Sequence, residues 1–165
     1  HMTASGARAT VSSMDDTIDK TDPAVRAEIA RRFAQAIPHN AAIGLVLESA
    51  ATDTVRMRLG YQAAFLGNVE AGLWHTGIAF TAADSACGLA VFLALPGLEA
   101  IATLDLRMDH LRPALAGADL VIEATCHHVT ERMAFVNADL HQDDPTRCVA
   151  RATATFTRTG KSVLA

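Results

Sequence analysis

The chain has 165 residues, 50% hydrophobic and 19% charged, with a formal net charge of −4. That length fits one domain with a proper core, and the mild acidic balance gives no reason to expect nucleic acid or an anionic membrane as partner. Three cysteines, Cys87, Cys126 and Cys148, form no CxxC pair, which argues against a disulfide framework and for a reducing, cytoplasmic compartment.

His1-Met2 reads as the remnant of a cleaved tag, and no compact apolar block of a signal peptide follows. Residues 1–21 are rich in Ser, Thr, Ala, Gly and Asp, so a flexible tail is expected there. A single domain is then expected over 22–165. Asp22-Pro23 is a helix start, a capping residue followed by proline at the first helical position. Val25, Ile29, Phe33 and Ile37 recur at helical spacing until Pro38, giving an amphipathic surface helix.

Two strands are expected next, over 43–51 and 54–59, joined by the Ala51-Thr52-Asp53 turn. A loop carrying Asn68, Gly72 and His75 leads into a long helix entered at Thr76 or Gly77 and ended by Leu95-Pro96-Gly97. Four further strands follow, over 100–111, 120–129, 132–142 and 148–158. In the first of them Ile101, Thr103, Asp105, Arg107 and Asp109 share one face, opposite Leu104, Leu106 and Met108.

The long helix is apolar almost all round, which marks a core helix wrapped by other structure. Asp84, Ser85, Gly88 and Pro96 interrupt its apolar stretch, so a membrane span is not expected. Asp84 is its one charge, and a buried carboxylate needs a partner or a purpose. Segregated helices and strands of this kind indicate an α+β fold with an antiparallel sheet. A helix apolar on every side requires a strongly curved sheet around it, or a second subunit to cover the remainder.

This order of elements resembles the hotdog fold, a six-stranded antiparallel sheet curled around one long helix. More closely, the chain resembles the PaaI-like acyl-CoA thioesterases of that superfamily. Their helix opening reads N…G-x-x-H-G-G with an acidic residue seven positions after the second Gly; Asn68, Gly72, His75, Gly77 and Asp84 fill that pattern. Thr76 replaces the first Gly of H-G-G, and one extra residue separates Asn68 from Gly72. The later phrase DLRMDHLRPA, residues 105–114, and the closing ATATF also match the family's strands.

The resemblance implies an acyl-CoA or acyl-carrier thioesterase, with coenzyme A entering as part of the substrate and no separate cofactor. Asp84 would be general base or nucleophile, and the Gly77 N–H, at the positive end of a helix, the oxyanion donor. His75 would orient the thioester or the water, with Asn68 beside it in the motif. Thr103 matches a strand position that helps hold the water, and Trp74 would line an acyl pocket. Arg107, Arg112 and Arg132 are candidates for the CoA phosphates, Arg112 foremost. Seven residues between Gly77 and Asp84 span about 11 Å along a helix, too far for both to grip one carbonyl. A homodimer with antiparallel helices is therefore expected, assembling further as a dimer of dimers.

Two alternatives stand beside this reading. A hotdog dehydratase or hydratase would use Asp105 and His110, which lie on opposite faces of a regular strand. A non-catalytic acyl-CoA sensor would normally carry a DNA-binding extension, and residues 1–37 offer one helix without a basic cluster. No metal is expected, because His127 and His128 are adjacent strand residues pointing apart and no third ligand accompanies them.

Overall fold

The structure, a computed structural model, describes residues 18–163. Helix α1 (Pro23–Ala36) begins where the sequence predicts, with the Asp22 carboxylate accepting from the Ala24 and Val25 amides. Ile37 is extended, as the residue before a proline tends to be, and Pro38 opens a second short helix, α2 (Pro38–Ile43). This helix was not expected. It ends at Gly44 in the left-handed conformation, so the first strand starts at Leu45 rather than at residue 43.

Strands β1 (Leu45–Ala50) and β2 (Thr54–Leu59) form a hairpin. A short 3-10 turn and a small ribbon, β3 (Leu66–Asn68) with β4 (Leu73–Trp74), then lead into α3 (Thr76–Ala94). After it come β5 (Glu99–His110), β6 (Leu120–Val129), β7 (Met133–His141) and β8 (Ala150–Ser162). The six long strands make one antiparallel sheet in the order β1-β2-β6-β7-β8-β5.

The sheet curls around α3, as the hotdog resemblance implies. Ala82, Ala83, Ala86, Cys87, Leu89 and Ala90 are fully buried on the helix, against Met57, Ile122, Val136 and Ala154 of the sheet. Alanines on both sides let helix and sheet backbones approach closely. By length and composition α3 is apolar enough to cross a membrane, yet 61% of its most apolar window is buried inside this sheet. Core packing accounts for its hydropathy.

β5 departs from the expected alternation. A bulge between Thr103 and Asp105 leaves Leu104 58% exposed and shifts the pleat by one residue. Ile101 from before the bulge and Leu106 and Met108 from after it therefore all pack on the core side. Thr103 faces α3 instead of sharing a face with Asp105 and Arg107.

Residues 1–17 of the expected tail lie outside the described residues, but 18–21 run against the end of α3. Lys20 is only 7% exposed, and its ammonium donates to the carbonyls of Phe92, Leu95 and Gly97 at 2.7, 2.8 and 2.7 Å. A cation on the last carbonyls of a helix also complements the macrodipole. Burial lowers the Lys20 ammonium to about 8, with the Glu99 charge opposing. The unfolded chain thus binds the extra proton between about pH 8 and the ordinary lysine range near 10.5, so this group's contribution to stability rises with pH across that window.

Candidate active site

The entry of α3 is built on His75. Its backbone is extended, its N–H donates to Phe65 at 2.8 Å, and its imidazole Nδ1 accepts from the Gly77 N–H at 3.0 Å. The ring therefore caps the helix in place of the usual Ser or Asp. With Nδ1 accepting, the neutral imidazole carries its proton on Nε2. Two glycines make room for it. A Cβ at Gly67 would lie 3.0 Å from the His75 Cα, and one at Gly77 would lie 2.9 Å from Nδ1.

The Gly77 amide, read from the motif as an open oxyanion donor, is thus engaged by its own neighbour. Asn68 has a different task in the structure: its side-chain carbonyl accepts from the Ala71 N–H at 3.0 Å and closes the turn between β3 and β4. Gly72 completes that turn at φ 63, a conformation that favours glycine.

His75, Trp74 and Arg112 line one cleft of about 340 Å³, together with Thr76, His110 and Val149. Trp74 is buried, its indole N–H donates to Leu115 at 2.9 Å, and its ring packs against Phe65 and Tyr61. It serves the core and walls the cleft at once. The Arg112 guanidinium donates to the Cys148 carbonyl at 2.6 Å, which anchors it at the cleft mouth. Arg107 is paired with Asp109 at 2.9 Å, and the Arg132 side chain lines none of the clefts described. His110, one half of the hydratase pair, also lines this cleft. Beyond the bulge β5 is regular from Asp105 to His110, which puts Asp105 on the opposite face from the cleft-lining His110.

Asp84 and Thr103 form a second cluster further along α3. The Thr103 hydroxyl donates to Asp84 Oδ1 at 2.9 Å, and Asp84 is half-buried rather than enclosed and unpaired. One turn later, burial pushes the Cys87 thiol up to about 12, with the Asp84 charge adding to it. A thiol in that state is no nucleophile at neutral pH. Cys126 and Cys148 are likewise free and buried. Among the described residues no three His, Cys, Asp or Glu side chains stand together as a metal site; His128 packs on Phe135 instead.

At 100° per residue, Gly77, Asp84, Gly88 and Phe92 follow one stripe of α3. Its first half is open, with His75, Thr76 and Gly77 exposed and Phe80 42% exposed. Its second half is covered by α1, whose Phe33 would come within 3.8 Å of a Cβ at Gly88. The carboxylate and the glycine amide thus share a surface while standing about 10 Å apart.

The Thioesterase superfamily profile matches residues 71–149, the stretch from the β3–β4 turn to the start of β8. A Halobacterium salinarum protein named as an esterase is 35% identical over 111 residues, 63% of this chain and 74% of its own length. The Salmonella typhimurium medium/long-chain acyl-CoA thioesterase YigI is 28% identical over 78% of this chain and 90% of its own. A mutant structure of the phenylacetic acid degradation protein PaaI from Thermus thermophilus superposes with a TM-score of 0.65 at 28% identity, covering 74% of this chain and 99% of that one. With its sheet wrapped on α3, His75 and Gly77 at the helix entry and Asp84 two turns along it, the chain belongs to the thioesterase superfamily, as a PaaI-like thioester hydrolase on the hotdog fold.

Proposed function

We propose that the protein hydrolyses acyl-CoA thioesters in a site completed by a second copy of the chain, with Asp84 of one subunit facing the Gly77 amide of the other. The observation that carries this is the open stripe on α3. Two groups suited to one reaction lie on it, about two turns apart, and antiparallel packing of two such helices brings each beside its complement. The exposed Phe80 on that stripe gives the contact an apolar centre. β5 is a long edge strand, unpaired on its outer side among the described residues, with an exposed Leu104, a surface that monomers avoid leaving open. Two isologous contacts of this kind give a homodimer, and pairs of dimers follow the tetramer expectation.

In this site Thr103 holds Oδ1 of Asp84, leaving Oδ2 free to take a proton from water. The hydroxide attacks the thioester carbonyl carbon, and the carbonyl oxygen becomes an oxyanion held by the Gly77 N–H once His75 has turned. His75 Nε2–H is a second donor to that oxygen. Collapse of the tetrahedral species breaks the C–S bond, and the proton from Asp84 passes to the departing thiolate, giving free acid and CoA. The cleft with His110 and Arg112 suits the pantetheine and phosphate end of the substrate. Three free buried thiols fit a reducing, cytoplasmic setting.

A thiol-release assay over an acyl-CoA panel tests the proposal. Turnover of at least one acyl-CoA, with linear release of one thiol per acid formed, is the expected result. Absence of thiol release across acetyl, medium-chain, long-chain and aryl CoA esters would remove CoA thioesters as substrates.

A further inference from the structure

We propose that the groove between α1 and β5 receives an apolar corner of a second copy of the chain, the β3–β4 turn with Val69 at its tip and Leu115 at its flank; the inference rests on the antiparallel dimer proposed above. The groove measures about 1010 Å³ and is lined by Ile29 and Phe33 of α1, Ile101 of β5 and Phe92 of α3. Phe33 and Phe92 meet with ring centroids 5.0 Å apart, and the Lys20 ammonium sits 5.2 Å from the Phe92 centroid. An apolar hollow of this size open on a protein surface marks a contact site. The corner is equally preformed. The Gly72 N–H donates to the Val69 carbonyl at 3.2 Å and the Ala71 N–H to the Asn68 side chain at 3.0 Å, which closes the turn. The Trp74 and Ala116 amides donate to the Ala114 and Gly72 carbonyls at 3.0 and 2.8 Å, tying the segment around Leu115 to the ribbon. Val69 is left 75% exposed, and Leu115 is exposed beside the ribbon.

Topology puts the corner and the groove at opposite ends of one surface. β5 runs back along α3: Ile101 shares the groove with Phe92, Thr103 bonds Asp84, and His110 shares the cleft with His75. The corner therefore stands at the entry of α3 and the groove at its exit. When Gly77 of one subunit faces Asp84 of the other, the rest of the second helix carries its Phe92 about 12 Å past Gly77. That reach brings the groove level with the ribbon that leads into the first helix. Antiparallel pairing thus sets each corner against the other subunit's groove, with Phe80 between the two ends.

Charge agrees with this fit. Arg32 at the groove rim shares a single carboxylate, Glu28, with Arg31, while Glu99 is matched by Arg158. The rim is left with one positive charge in excess. Glu70, next to Val69 on the turn, is exposed and has no ion pair among the described residues. The second copy therefore brings an unmatched carboxylate to a cationic rim. The turn leads through β4 into His75, so the groove of one subunit holds the loop that carries the helix cap of the other.

Sedimentation velocity over a concentration series, at low salt where charges are little screened, reads the dimer dissociation constant. Ala36 lines the groove and is exposed, as Val69 is on the turn, so neither substitution displaces core. Ala36→Glu sets a carboxylate against the incoming Glu70, and Val69→Lys sets a cation against the arginine rim. Each is expected to raise the constant by about tenfold or more, since the contact occurs twice per dimer. Combined in one chain, the two new charges meet across the interface, and the constant is expected to return to within about threefold of the native value. Ala27→Glu, off the groove on the same helix, is expected to leave it unchanged. A monomeric native protein, unchanged constants in both single variants, or a double variant no tighter than the singles would overturn the inference. A lowered melting temperature in Ala36→Glu with the dimer constant intact would assign the groove to residues 1–17 of the same chain and also overturn it. Charge-pair recovery without thiol release from any acyl-CoA would keep the docking and retire the hydrolase reading. Turnover in dimers that ignore all three variants would do the reverse.

Discussion

Asp84→Asn is expected to lower kcat by about 10³-fold, within the range that a positioned general base contributes. Asparagine has nearly the same shape, and its carbonyl still accepts the Thr103 hydroxyl that now reaches Oδ1 at 2.9 Å. What it loses is the capacity to take a proton from water. The fold should be unaffected, because Asp84 is half-buried and, among the described residues, Thr103 is its hydrogen-bond partner. Steady-state thiol release alongside a thermal melt reads both quantities. Full turnover in a folded Asp84→Asn protein would move the base to another residue.

Gly77→Ala separates a turn glycine from a working amide. Gly77 lies inside the first turn of α3 and is not among the glycines with positive φ. Helix propensity alone therefore favours alanine there, by up to about 1 kcal/mol. Its Cβ, however, would sit 2.9 Å from His75 Nδ1 and 3.0 Å from Cε1. The imidazole must leave the cap, and the new methyl stands where the carbonyl oxygen approaches the amide. Loss of an oxyanion donor is worth about 10²-fold or more in kcat, so turnover should fall by that factor while the melting temperature changes little. A variant that keeps native kcat would show that Gly77 serves the turn alone.

Much of this fold was legible because its periodicities are clean. The Asp22-Pro23 start, the β2 alternation and the all-round apolar α3 each follow from local physics. The misreadings have physical causes as well. Pro38 ends one helix and starts another, and a proline reads the same in both roles. The β5 bulge is invisible in a pattern that alternates on either side of it, so the pattern puts Thr103 on the wrong face; the resemblance implies a role in holding water, and its hydrogen bond to Asp84 appears only in the folded chain. The His75 cap on Gly77 depends on a rotamer, which no motif records. Lys20 lies in a polar stretch whose composition predicts a tail, yet three carbonyls at the end of α3 give it a fixed place. The α1–β5 groove joins segments far apart in sequence, and only the folded chain shows it.

In the proposed dimer each site takes its carboxylate and its oxyanion donor from different subunits. Mixing Asp84→Asn and Gly77→Ala proteins under conditions that allow subunit exchange tests it directly. A mixed dimer has one site with both groups intact and one with neither. Random exchange makes half the dimers mixed, so activity should rise from near zero to about a quarter of the native value. Activity that stays at the sum of the two separate variants, with exchange verified by mass, would contradict a shared site and place both groups within one chain.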